Sequence, residues 1–149
     1  MKKIIILLYI TMAGLSAFAF PPTDVGEKVR QSFKLSFPHA EQVKWTEHKD
    51  GYVVNFVDNS IQARILYGEN AEFIASIRYY SFQNLPLNLL VKLSNKYPGK
   101  SFFGVTEVTS EAGVVYQVVM QDAENWYQVS VGSNGDINVF DKFKKTSKD

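Results

Sequence analysis

The sequence predicts an α+β fold in which one helix plus a four-stranded antiparallel sheet occurs twice, the helices packed on one sheet face. Three observations lead there. Val25, Val29, Phe33 and Phe37 recur every four residues and are followed by Pro38; Leu85, Leu89, Leu93 and Tyr97 do the same 60 residues later, followed by Pro98. Each stripe is succeeded by four short runs of alternating apolar and polar residues. The runs are separated by compact turn-forming segments, which favour antiparallel meanders over parallel crossovers.

The first helix follows from its spacing. A four-residue recurrence places the four side chains along one face, and the proline cannot continue the helix. Asp24 with Glu27 three residues on resembles a capping box. In the second helix Pro86 suits the first turn, where a missing N–H costs nothing.

The strands are expected at about 42–47, 52–57, 61–67 and 73–80, then 102–109, 114–120, 126–131 and 137–143. Between them stand Asp50-Gly51, Asp58-Asn59, Gly68-Glu69-Asn70, Ala112-Gly113, 122–125 and Ser133-Asn134-Gly135-Asp136. All are hairpin chemistry. Alternation assigns faces: Tyr52, Val54 and Phe56 share one with Ile61, Ala63, Ile65 and Tyr67. Their counterparts are Tyr116, Val118 and Met120, then Tyr127, Val129 and Val131. These apolar sets should lie under the helices. The opposite face is mixed and carries Val53, Asn55, Gln62, Arg64, Leu66, Gln117, Val119, Trp126, Gln128 and Ser130.

The chain has 149 residues, and residues 1–19 read as an export signal: Lys2 and Lys3, an apolar run from Ile4 to Ala13, then Ala17-Phe18-Ala19 as a small-x-small cleavage motif. The apolar run is too short to span a bilayer, and no other stretch is long enough. Residues 20–149 are then the exported domain, with repeats at about 23–82 and 83–143 and a short basic tail. Removing the signal takes the formal charge from +1 to −1, because both lost charges are lysines. A near-neutral chain argues against nucleic-acid binding. With 46% hydrophobic and 21% charged residues, disorder and collagen-like classes are excluded. There is no cysteine, hence no disulfide framework, no thiol nucleophile and no lipoprotein anchor. The expected location is the periplasm or outside the cell, soluble after cleavage near Ala19.

The pattern resembles the PepSY-like family, also described as β-lactamase-inhibitor-like. The likeness is carried by Phe37-Pro38-x-Ala40, Val43-x-Trp45 and Tyr52-x-Val54-x-Phe56 in the first half. In the second it is carried by Leu85-Pro86, Leu93, Tyr97-Pro98, Val105-x-Glu107-Val108, Tyr116-x-Val118 and Gly135-Asp136-Ile137. The resemblance implies tandem α-plus-four-strand units whose sheets make an extended surface, in exported bacterial proteins without an assigned activity. The inhibitor behind the name has disulfide-stapled repeats, whereas this chain has no cysteine. The likeness therefore carries a fold and not an inhibitory activity.

Chemical signatures are sparse. His39 and His48 are the only histidines. Zinc would need both together with carboxylates such as Glu41 or Glu47, and two surface histidines is the simpler reading. Neither 122–124 nor 132–136 has the ligand pattern of a calcium loop. No G-x-S-x-G, S-x-x-K, H-E-x-x-H or glycine-rich phosphate loop is present. The expectation is a protein that is not an enzyme and has no cofactor and no metal.

Binding features are better represented. Trp126 most clearly points away from the helices, with Tyr80 and Phe102 as weaker cases. Exposed aromatics beside Gln and Arg have the composition of protein interfaces. Lys142, Lys144, Lys145 and Lys148 form a basic cluster, read as a solubilising terminus. The expected function is a non-enzymatic exported module whose open sheet face, with Arg64, Gln117, Trp126 and Gln128, contacts an unidentified envelope protein or peptide. The alternative is a small-ligand carrier or sensor with a pocket between helices and sheet, lined by aromatics such as Trp45, Tyr52 and Phe56.

Overall fold

The computed structural model describes residues 24–146. The expected export signal, its cleavage site and Lys148 lie outside these residues. The element order is α1 (Glu27–Ser36), β1 (Glu41–His48), β2 (Gly51–Asp58), β3 (Ile61–Tyr67), β4 (Phe73–Tyr80), a 3-10 turn (Phe82–Asn84), α2 (Leu87–Lys96), β5 (Ser101–Ser110), β6 (Gly113–Gln121), β7 (Asn125–Gly132) and β8 (Ile137–Lys144). All eight strands form one antiparallel sheet in chain order, so the expected four-stranded sheets are parts of a single surface. The join is β4 against β5, with Tyr80 opposite Val105 and Arg78 opposite Glu107.

Both helices lie on one face of that sheet, each over its own core. Val25, Val29 and Phe33 pack on Val54, Phe56, Ala63, Ile65 and Tyr67. Leu85, Leu89 and Leu93 pack on Val105, Tyr116, Val118, Met120, Val129 and Val131. The strand register connects the two patches, since Phe56, Ala63, Arg78, Glu107, Tyr116 and Val131 are successive cross-strand partners. Residues paired across a sheet project from the same face. The two cores share no residue, and β4 adds no buried hydrophobic residue to either.

The helix starts differ from the expected chemistry. Gly26 is the N-cap of α1 and no side chain caps it. Asp24 instead pairs with Arg30 at 3.7 Å, while the Arg30 Nε donates to the Val25 carbonyl at 3.0 Å. The capping box does not form because Val25 is drawn into the core, 2% exposed, and delays the helix to Glu27. Pro86 is the N-cap of α2, one position earlier than expected.

Turn geometry fixes the register. Asn59 and Ser60 both have positive φ, 48° and 65°, as a two-residue primed hairpin requires. Gly51 opens β2 at φ +137°, where a Cβ would strike the Tyr67 carbonyl. Only glycine permits that approach.

Candidate binding surfaces

Among the described residues no helix covers the face opposite α1 and α2, and its rows follow from the strand register. One runs Lys44, Asn55, Arg64, Ile77, Val108 and Val115. The next runs Val57, Gln62, Tyr79, Thr106, Gln117 and Ser130. Arg64, Gln117, Trp126 and Gln128 are all on this side. Gln117 stands diagonally to Gln128, which pairs with Val119, and Trp126 pairs with Gln121 farther along β6 and β7. Arg64 is on β3, three strands and one row from Gln117, hence roughly 16 Å away at the spacings of a sheet. The structure thus clusters Gln117, Gln128 and Trp126, and it sets Arg64 apart.

Arg64 is exposed and donates from Nε to its cross-strand partner, the Asn55 Oδ1, at 2.8 Å. It borders a shallow hollow of about 280 Å³ together with Lys44, Gln62 and Tyr79. Trp126 is half-buried. Its ring meets Phe103 edge-on with centroids 5.5 Å apart, and the Lys145 ammonium stands 5.3 Å from its centre. Phe143 is its cross-strand partner on β8. Phe103 is 71% exposed, Phe143 47% and Tyr79 46%, so this face carries more aromatic surface than Trp126 alone.

Phe103 escapes the sequence pattern because of a β-bulge between Phe102 and Gly104. Phe102, expected as an outward aromatic, turns to the helix side, pairs with buried Met120 and stacks on Phe82 with centroids 3.7 Å apart. Glycine within an aromatic strand is the available signal for such a bulge. Tyr80 likewise belongs to the helix side, in register with Val105.

That helix side contains a polar strip between the two cores. Glu107 accepts from the Tyr80 hydroxyl at 2.6 Å and from the Arg78 Nη1 at 3.3 Å. Arg78 also lies 5.5 Å over the Tyr80 ring. The Glu107 side chain is only 14% exposed, against 43% for Arg78. Burial first, then the bond to anionic Glu107, holds the Tyr80 phenol protonated far above its ordinary range. A cleft of about 490 Å³ adjoins this strip, under α1, and extends over β3 and β4. Phe56 lines it, as do Ile65, Tyr67 and Phe73. Trp45 borders a separate hollow of similar size between α1 and β1, and Tyr52 packs against the first core.

A further cluster ties the β6–β7 turn to the chain end. Asp122 Oδ2 accepts from Lys100 Nζ and from the Tyr127 hydroxyl, each at 2.7 Å, and Oδ1 accepts from the Asn125 and Glu124 amides. Lys145 donates to the Asp122 carbonyl at 2.6 Å. The Lys100 hydrogen bond, then Tyr127 and the two amides, hold the Asp122 carboxyl well below the usual range. Of the basic tail, Lys142 and Lys144 are thus strand residues and Lys145 clasps a turn. His48 Nδ1 accepts from the Asp50 amide at 3.2 Å, and among the described residues no three of His, Cys, Asp or Glu are grouped as metal ligands. No described helix is long and apolar enough to cross a membrane.

No family model matches the chain, and no curated protein does. Solved structures do. A BLIP-like protein from Bacteroides fragilis superposes with a TM-score of 0.57 at 16% identity, covering 84% of this chain and 89% of its own. A DUF2874 family protein from Bacteroides uniformis gives 0.56 at 18% identity, over 80% and 89%. A Bacteroides eggerthii protein assigned provisionally to the periplasm gives 0.56 at 17%, over 80% and 88%. These likenesses agree in fold with the resemblance drawn from the sequence. The chain therefore shares the fold of the BLIP-like and DUF2874 family proteins.

Proposed function

We propose that this protein is a non-enzymatic, exported binding module whose open sheet face contacts another protein or a peptide. The observation that carries the reading is an eight-stranded face with no described helix over it, bearing Trp126, Phe103 and Tyr79 among Arg64, Gln117 and Gln128. Aromatic and arginine side chains among neutral polar groups are what dominate binding energy at protein interfaces. The likeness to BLIP-like proteins supports a protein-binding role, and the likeness to a provisionally periplasmic protein supports export. The order helix, four strands, helix, four strands supports a tandem repeat within one domain. The test is capture of a partner from an extract of the native cells, with the purified chain as bait. Arg64→Glu and Gln117→Arg should each abolish capture while the fold remains intact; capture unaffected by both would refute the assignment of the face.

A second reading has its own support. The cleft of about 490 Å³ under α1 is of the size that small-molecule sites occupy. A ligand held there would make the protein a carrier or sensor. Native mass spectrometry of protein from its own cells should then show added mass, and a bare chain throughout would count against it.

A further inference from the structure

We infer that the cleft under α1 accepts a small zwitterion with an apolar body, a short peptide with both termini free. The inference rests on the second reading above, that this cleft is a ligand pocket. Its lining is amphipathic in an ordered way. Asp58 and Arg78 are its charged side chains, and both stand toward one end. Asp58 closes β2 opposite Ile61, while Arg78 is on β4 opposite Ala63, one helix-side row away. The other end, toward the β3–β4 turn, is walled by Ile65, Tyr67 and Phe73.

The two charges do not neutralise each other. Arg78 pairs with Glu107, and among the described residues the Asp58 carboxylate takes only the neighbouring Asn59 amide, at 3.3 Å. One guanidinium nitrogen meets Glu107 at 3.3 Å, and the fork has further N–H groups for a carboxylate. Strand spacing sets the backbones of β2 and β4 roughly 10 Å apart. Unlike charges held across such a gap call for a ligand carrying the opposite pair. An extended dipeptide, at roughly 3.5 Å per residue and with a hydrogen bond of about 3 Å at each end, bridges it. The apolar body then lies on Ile65, Tyr67 and Phe73. A fatty acid would satisfy Arg78 and leave Asp58 facing apolar surface, and a simple amine would do the reverse. Each engages one of the two charged side chains and leaves the other without a ligand group to meet it.

The test is calorimetric titration of the purified chain with the dipeptide leucyl-phenylalanine, its N-acetyl form and its C-terminal amide. The free dipeptide should bind, and each capped form should bind about ten-fold more weakly, as for loss of one charged hydrogen bond. Asp58→Asn should weaken the free dipeptide about ten-fold and leave the acetyl form unchanged. Ala63→Leu, which fills the floor of the cleft, should abolish binding of all three, with circular dichroism showing that the variant is folded. Equal affinity for free and capped forms would overturn the inference. If the dipeptide fails but the neutral probe N-phenylnaphthylamine binds in an Ala63→Leu-sensitive way, the zwitterion is wrong and the pocket stands. If neither binds, both fall.

Discussion

Replacing Trp126 by alanine tests how the outer face is built. The indole is half-buried although it lies on the side away from both helices, because Phe103 meets it edge-on at 5.5 Å and Lys145 stands 5.3 Å from its centre. An edge-to-face aromatic pair contributes about 0.5–1.5 kcal/mol beyond its buried area. The half-buried Lys145 ammonium near the ring adds about 1 kcal/mol. Because Phe103 is itself 71% exposed, the cluster is shallow, and the loss expected for Trp126→Ala is about 2 kcal/mol. That exceeds an ordinary surface change, within about 0.5 kcal/mol, and falls short of a fully buried Trp truncation, about 3–5 kcal/mol. Trp126→Phe should retain the Phe103 contact and lose roughly half as much. Urea unfolding followed by circular dichroism reads both, with an unchanged slope expected. A loss above about 4 kcal/mol would place Trp126 in the core. No loss at all would dissolve the cluster.

Other expectations follow from the cores, the turns and the charges. Leu93→Ala removes a side chain that is 0% exposed at the centre of the α2 core, so about 3–5 kcal/mol should be lost in the same unfolding assay. Gly51→Ala places a Cβ against the Tyr67 carbonyl at φ +137°, and should cost roughly 2 kcal/mol and lower the melting temperature. The Asp122 carboxyl is held below its ordinary value in the folded chain. Its contribution is therefore complete above about pH 3.9, the unfolded value, and is lost as pH falls through the lower native value. Asp122→Asn should flatten the acid limb of stability against pH, and an unchanged limb would refute the assigned bonds.

Helices and strand order were readable from residue spacing because burial imposes its period directly on the chain. Val25, Val29 and Phe33, and likewise Leu85, Leu89 and Leu93, are all buried. The expected 61–67 strand coincides with β3, and 73–80 with β4. What spacing could not show is where helices stop covering the sheet. On β4 the polar Ser76 and Arg78 face the helix side, whereas Ile77 and Tyr79 face outward, an inversion of the usual alternation. It follows from β4 lying between the two cores, where Arg78 and Tyr80 find Glu107 instead of a helix. The reversal of Phe102 and Phe103 had the same kind of cause, since one bulged residue shifts the face of its neighbours. Of the candidate site, residue parity alone places Gln117, Gln128 and Arg64 on the face away from the helices. Their separation across β3 to β7 became measurable only from the register.

Whether the outer face is the binding surface is decided most directly by comparing partner affinity across the two sides of one sheet. With a partner captured from native cells, Gln117→Arg and Arg64→Glu should each weaken binding at least ten-fold, and Ala63→Leu, on the helix side, should leave it unchanged. The reverse pattern, affinity lost with Ala63→Leu and retained with both outer-face variants, would contradict the account.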